Sequence, residues 1–366
     1  MKPRKTYREL YEQKNSRKIS TLIGPRQVGK TTLLKALHEE LKEQELCLFL
    51  DLDIYSNYER VSTFEGLQNT LRLAGYDGKK RCYLFLDEFQ RYPGLTIILK
   101  NAYDNLPNLK IYASGSSSLK IKSEVQESLA GRKVITIVNP LDFEEFLWFK
   151  EDTEALAMLK NSPKLKGDDL FKITGRLYHY LEEFLVFGGY PEVVLSKDKE
   201  EVLGSIFDLF VKKDLREYLK VEKLASMKRL IEILAVNNGK KLKFDTLSQS
   251  CSLFFKEVKD YIEVLKESHI VEEVRPFYTN KNSELVKIPK FYFLDNGVRN
   301  YFVNNFNILD KREDAPFLFE GFIISELVKK GVGVRFWQDK NKHEVDVIIE
   351  QGKMRIPVEI KFKKVL

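Results

Sequence analysis

The chain is poor in the residues that mark disulfide-stapled and metal-centred proteins. Its 366 residues include three cysteines and four histidines. Cys47, Cys82 and Cys251 are far apart and odd in number, which argues against a disulfide framework. Cys47 and Cys82 fall in apolar runs, where a small buried thiol is the simplest reading. His38, His179, His269 and His343 show no ligand spacing, so no zinc site is expected. This cysteine usage fits a reducing, cytoplasmic setting. No run approaches the ~20 apolar residues that span a bilayer, so no membrane partner is expected. Met1-Lys2-Pro3-Arg4-Lys5 is basic like the start of an export signal, but no apolar stretch follows it. A field of one charge sign is also missing over most of the chain. Of the formal net charge of +7, residues 1–20 hold +5, from seven Lys/Arg against Glu9 and Glu12. Such an arm can touch nucleic acid or acidic lipid, but a solvated first helix explains it more simply.

What is present is a chain with 43% hydrophobic and 31% charged residues, long enough for two or three cores. Residues 18–23 read as a short buried strand running into Gly24-Pro25-Arg26-Gln27-Val28-Gly29-Lys30-Thr31-Thr32. This is G-x-x-x-x-G-K-T, and the helical pattern Leu33, Leu34, Leu37, Leu41 follows it. The chemistry accounts for the spacing. Gly24 and Gly29 allow backbone angles that aim N–H groups at phosphate oxygens. Lys30 sets a positive charge against the β- and γ-phosphates, Thr31 offers a hydroxyl to Mg²⁺, and the helix N-terminus adds its dipole. The expected ligands are ATP and Mg²⁺.

A second apolar strand, 81–86, ends in Asp87-Glu88. A buried parallel strand ending in two carboxylates suits a metal-holding Asp87 and a water-polarising Glu88. Residues 109–113 form a further strand ending in Ser114-Gly115-Ser116-Ser117-Ser118, where Ser116 suits a polar sensor near the γ-phosphate. Strands at 46–50 and 134–138 bring the total to five, interleaved with helical patterns. That predicts an α/β domain with a mostly parallel sheet.

The phosphate-loop run, Leu86-Asp87-Glu88-Phe89-Gln90 and Ser114-Gly115-Ser116 together resemble the AAA-type archaeal and bacterial P-loop ATPases with a DUF4143-like C-terminal domain of unknown function. Ser128-Leu129-Ala130-Gly131-Arg132, the run 140–146, Gly188-Gly189-Tyr190-Pro191 and the run 290–295 extend the resemblance over most of the chain. It implies a role for Arg132 near a phosphate, either as a finger toward a neighbouring subunit or as a local contact. A loop arginine paired with a surface carboxylate is the plainer alternative. Asp214 and Arg216 are a weaker second candidate pair, more simply read as a mixed-charge helix face.

In the C-terminal half, 151–166 is polar and broken by Pro163, and 168–222 reads as several helices interrupted at 188–191. Helical patterns at 227–236, 244–249 and 253–267 precede strand-like runs at 270–274 and 286–294 around a polar hairpin, 279–284. Three helices and a two-stranded wing give a winged helix-turn-helix layout. Its third helix carries Lys256, Lys259 and Lys266 against Glu257, Asp260, Glu263 and Glu267, a net of −1. That balance disfavours major-groove reading and favours a structural or protein-contact role, while Lys281 and Lys287 keep a DNA role open.

The last fifty residues resemble a PD-(D/E)XK nuclease core, which implies Asp346 and Glu359 as Mg²⁺ ligands, Lys361 orienting the water and Glu320 assisting. Two features argue against working nuclease chemistry. The ATPase resemblance already includes this segment, and the chain stops five residues past Lys361, so the unit is expected to be truncated or completed by something else. The expected layout is a P-loop ATPase domain at 1–150, a helical linker region at 151–222, a winged helix at 223–300 and a nuclease-like α/β unit at 310–366. The expected activity is Mg-dependent ATP hydrolysis coupled to a nucleic-acid or protein partner. The alternatives are a nucleotide-gated interaction switch, which could be a homo-oligomer, and an ATP-regulated nuclease.

Overall fold

The computed structural model describes residues 2–92, 94–116, 129–162, 168–218, 223–278, 284, 287–339, 341, 343–352 and 354–362. Ser117, Ser118, Ser128, Lys281 and most of the 279–284 hairpin lie outside the described residues, as do the side chains of Ser116 and Asp214. The chain forms two compact units, Met1–Asn139 and Pro140–Leu366.

The first unit runs α1 (Lys5–Glu12), β1 (Ile19–Gly24), α2 (Lys30–Leu41), β2 (Leu46–Asp51), α3 (Tyr55–Glu59), α4 (Phe64–Leu73), β3 (Cys82–Asp87), α5 (Leu95–Asn105), β4 (Leu109–Ser116) and β5 (Lys133–Ile137). The five strands form one sheet in the order β2-β3-β4-β1-β5, with every pair parallel. The expected parallel sheet is therefore present. Parallel strands need crossovers, and the helices between them cover the sheet and leave its strands buried on both faces. β1 and β3 accordingly have no exposed position.

β3 shows how the sequence fills both faces, because side chains alternate along a strand. Leu84 and Leu86 enter a cluster with Leu50, Leu67, Leu71, Leu99 and Ile111. On the other face Phe85 stacks on Tyr112, with ring centroids 5.2 Å apart, and meets the edge of His38 from α2 at 5.5 Å. With every strand running the same way, the carboxyl ends of β1, β3 and β4 lie on one edge. The ends that matter, Gly24, Asp87 and Ser114–Ser116, are thus neighbours: Gly24 pairs with Ser116, and Leu86 with Ala113.

The second unit begins with α6 (Phe143–Lys150), whose capping box joins Asp142 and Glu145. It continues through α7 (Thr153–Asn161), α8 (Asp168–Phe187), α9 (Pro191–Leu195) and α10 (Lys199–Leu209). Phe143, Phe146, Phe184 and Phe322 pack their rings at centroid distances of 5.2–6.0 Å. Then come α11 (Leu224–Val236), α12 (Phe244–Cys251), α13 (Phe255–Glu267) and the antiparallel pair β6 (Val271–Val274) and β7 (Lys290–Phe293). The chain closes with α14 (Asn296–Val303), α15 (Ala315–Lys329) and a three-stranded antiparallel sheet of β8 (Val334–Gln338), β9 (Glu344–Gln351) and β10 (Met354–Val358), in the order β10-β9-β8. Among the described residues, no helix is long and apolar enough to cross a membrane.

Candidate functional site

The loop Gly24–Thr32 joins the end of β1 to the start of α2. Gly24 leaves no room for a side chain: an added Cβ would stand 2.1 Å from the Val138 carbonyl oxygen. Gly29 turns with a φ of +95°, a backbone region that favours glycine, and forms the N-cap of α2. Gln27 shares that region at +59°. Pro25 and Val28 are buried, Arg26, Gly29 and Thr31 are half-buried, and Gln27 and Thr32 are exposed. The Lys30 ammonium, 5% exposed, donates to the loop's own carbonyls, 2.9 Å to Gly24 and 2.6 Å to Pro25. A cation therefore points back into the hollow that the loop encloses.

The strand ends supply the negative side. Asp87, buried at the end of β3, accepts a hydrogen bond from the Ser114 hydroxyl of β4. Glu88 follows in the left-handed region at φ +57°, an uncommon place for a branched-free acid, so surrounding packing must hold it there. Its carboxylate accepts from the Gln90 amide. Burial pushes the Glu88 carboxyl above the usual range, although the Lys30 ammonium and the Gln90 hydrogen bond oppose this. Gly115 is needed on β4 because an added Cβ would meet Gln90 Oε1 at 2.8 Å and the Phe89 ring at 2.9 Å. Gln90 Oε1 is itself buried without a hydrogen-bond partner among the described residues.

Of the residues expected from sequence, Lys30, Asp87 and Glu88 are brought together, and the Gly24–Ser116 pairing sets the backbone of Ser116 beside the start of the loop. The hydroxyl engaged with Asp87 is that of Ser114, two residues before Ser116 in the chain. Arg132 is not brought to the loop. It precedes β5, and its carbonyl accepts from Ile19, the first residue of β1, so it occupies the opposite edge of the sheet. There its guanidinium grips Asp104 at 2.8 and 3.1 Å. A local Arg132–phosphate contact is thereby corrected, because a full strand length separates the two ends of β1.

Arg4 makes a contact with the phosphate loop that the sequence gives little sign of. A solvated first helix is the simplest expectation for the basic arm, yet Arg4 is 7% exposed. Its guanidinium donates to the Val28 carbonyl at 2.9 Å and to the Asn139 carbonyl at 2.9 Å. One side chain thus ties the phosphate loop to the chain leaving β5. Only the basic arm itself hinted at this, since the partners are 24 and 135 residues away.

The oxygen donors near the loop, the Thr31 hydroxyl and the Asp87 carboxylate, are of the hard type that Mg²⁺ selects, so the residues fit that ion. The nuclease-like residues behave differently. Lys361 pairs with Glu359 at 2.9 Å, and both are exposed beyond the end of β10. Asp346 accepts from the Ile360 amide at 2.8 Å. Glu320 accepts from the Tyr292 hydroxyl at 2.5 Å and from Lys290 at 3.5 Å, and Lys290 also pairs with Glu344. Among the described residues, no three such side chains form a group able to hold a metal ion.

Comparison with known proteins matches these two regions. Residues 16–147 match the family described as an AAA domain, residues 178–308 a domain of unknown function (DUF8612), and residues 316–365 a domain of unknown function (DUF4143). An uncharacterized protein of Haemophilus influenzae is 24% identical over 366 residues, covering 97% of this chain and 85% of its own. An uncharacterized protein of Methanocaldococcus jannaschii is 25% identical over 347 residues, covering 91% of this chain and 72% of its own. Among solved structures, a Walker-type ATPase of Pyrococcus abyssi superposes with a TM-score of 0.53 at 15% identity, covering 82% of this chain and 96% of that one.

Proposed function

We propose that this chain, an AAA-type P-loop nucleotide-binding protein with a DUF4143 C-terminus, hydrolyses ATP at the carboxyl edge of its parallel sheet. The observation that carries this reading is the meeting of Lys30, Asp87 and Glu88 beside the loop that Gly24 and Gly29 shape. The triphosphate would lie along the N–H groups of the loop, and Lys30 would exchange the Gly24 and Pro25 carbonyls for phosphate oxygens. The Thr31 hydroxyl and the Asp87 carboxylate would hold Mg²⁺, which would supply positive charge to the phosphates. Glu88 would take the proton of the attacking water, and burial, which raises its pKa, makes its carboxylate a stronger base. Ser114 would fix the Asp87 carboxylate, and the Ser116 position would report on the γ-phosphate. Arg132, paired with Asp104 at the far end of β1, would act on nucleotide only in a neighbouring copy.

The energy would be coupled to a nucleic-acid partner through the winged-helix-like layout of α11, α12, α13 and the β6–β7 pair. ATP turnover measured with and without DNA, at low and high protein concentration, tests the coupling. DNA-stimulated turnover supports it. A flat response to DNA with turnover per chain that climbs with concentration would replace it with a nucleotide-gated assembly using Arg132 in trans.

A further inference from the structure

A recess of about 780 Å³ opens in the second unit between α12, α13 and the β6–β7 pair. Five cations line it, Lys243, Lys259, Lys266, Arg275 and Lys287, against Asp245, Glu263 and Glu273. Ion pairing accounts for part of this charge. Lys266 bridges Glu263 at 2.8 Å and Glu273 at 3.0 Å, and Arg275 reaches Glu273 at 2.9 Å. Lys243, Lys259 and Lys287 are exposed and carry the surplus, with Asp245 the remaining acid.

The whole-helix charge of α13 conceals this. That helix sums to −1, but its recess face is Phe255, Lys259, Ile262, Glu263 and Lys266, whereas Glu257, Asp260 and Glu267 do not line the recess. The cations are interleaved with rings. Lys259 sits 4.5 Å from the centroid of Phe255 and 5.9 Å from that of Phe244, and Lys287 sits 5.9 Å from that of Tyr278. Phe255 is 44% exposed and Phe254, the residue before it, 75% exposed. Large rings left in water beside unneutralised ammonium groups are costly for a plain surface and useful for a polymer that is both anionic and flat-sided.

We propose that this recess binds single-stranded nucleic acid, with Lys243, Lys259 and Lys287 meeting successive phosphates and Phe255 offering its face to a base. A single strand is favoured over a duplex because the cations line a hollow behind α13 rather than a protruding helix face that could enter a major groove. It is favoured over an acidic peptide because a peptide uses the charge but leaves the exposed rings unemployed. This deepens the nucleic-acid half of the function proposed above, and its test reads binding, so a chain that fails to hydrolyse ATP leaves it standing.

The experiment is fluorescence anisotropy of a labelled oligothymidylate titrated with the full chain across a range of salt concentrations. Wild type binds, and Phe255→Ala weakens binding by roughly five- to a hundredfold, the range for loss of one base-stacking ring. Lys243→Gln, Lys259→Gln and Lys287→Gln combined flatten the slope of log affinity against log salt by about 2, three phosphate contacts at roughly 0.7 each. Thermal melting of each variant is compared with wild type, and if the triple variant melts early, the exposed single change Lys259→Gln decides with a slope change of about 0.7. The proposal is overturned by no binding, by variants that bind as wild type does, or by a duplex or polyglutamate displacing the oligonucleotide at lower concentration than unlabelled single strand.

Discussion

A phosphate loop has to keep its amide groups aimed while a highly charged ligand arrives and leaves, and Arg4 is a residue that bears on this. Its hydrogen bond to the Val28 carbonyl holds that peptide in place, and Val28 lies between Gln27 and Gly29, both in the left-handed region. A peptide whose carbonyl is held on one side presents its N–H to the other. Arg4→Ala frees the carbonyls of Val28 and Asn139 and should raise the KM for ATP about tenfold while changing kcat little, a loss of about 1.4 kcal/mol in binding alone. Steady-state kinetics on the variant check this split, and an equal fall in kcat with unchanged KM would contradict it. The motif fixes the place of Lys30, and the apolar run 81–86 sets Asp87-Glu88 at a strand end, as β3 does. The Arg4 contact and the Ser114–Asp87 bond were not legible in this way, because each joins residues more than twenty positions apart, and nothing in a linear pattern encodes such a contact.

At the scale of elements, the strands were legible where an apolar run is bounded by turn residues. The run 46–50 became Leu46–Asp51, and 134–138 became Lys133–Ile137. Among the described residues of the second wing-like run, 286–294, the β6 ladder covers Lys290–Phe293, after Pro289, which has no N–H for a ladder. β4 holds a residue that periodicity gave no reason to notice. Lys110, fully buried, donates to the Lys18 carbonyl and, at 2.8 Å, to the Ser20 hydroxyl. Burial, aided by the charge of Arg81, pulls its ammonium down from 10.5 to about 7. The unfolded chain keeps that proton up to about pH 10.5 while the folded chain releases it near 7, so the unfolded state binds more protons in that window. Stability of the first unit should therefore rise from pH 7 toward 10.5 through this group and be independent of it below 7. Lys110→Met should remove that rise, as read from urea midpoints at pH 7 and pH 9.5. A variant with the same difference between the two midpoints as wild type would contradict the assignment.

At the scale of the whole molecule, the proposed chemistry lies in the first unit, and the second unit explains why a family resemblance can name a fold without naming an activity. Its C-terminal sheet carries the spacing of a nuclease core, but the side chains have found other partners: Glu359 with Lys361, Asp346 with a backbone amide, Glu320 with Tyr292 and Lys290. The spacing of acids along the chain was readable, whereas the partners of Glu320 depend on Lys290 and Tyr292 arriving from β7. The charge count over α13 averages over its faces, and only one of them lines the recess.

The central claim is that Glu88 takes the proton of the water that attacks ATP. It is tested most directly by single-turnover hydrolysis of ATP in Mg²⁺, comparing wild type with Glu88→Gln while nucleotide affinity is measured in parallel. Loss of a positioned general base predicts a rate lower by roughly 10²–10⁴-fold with ATP affinity kept within a fewfold. Hydrolysis by Glu88→Gln at the wild-type rate would contradict the account and move the base to another residue of the strand ends.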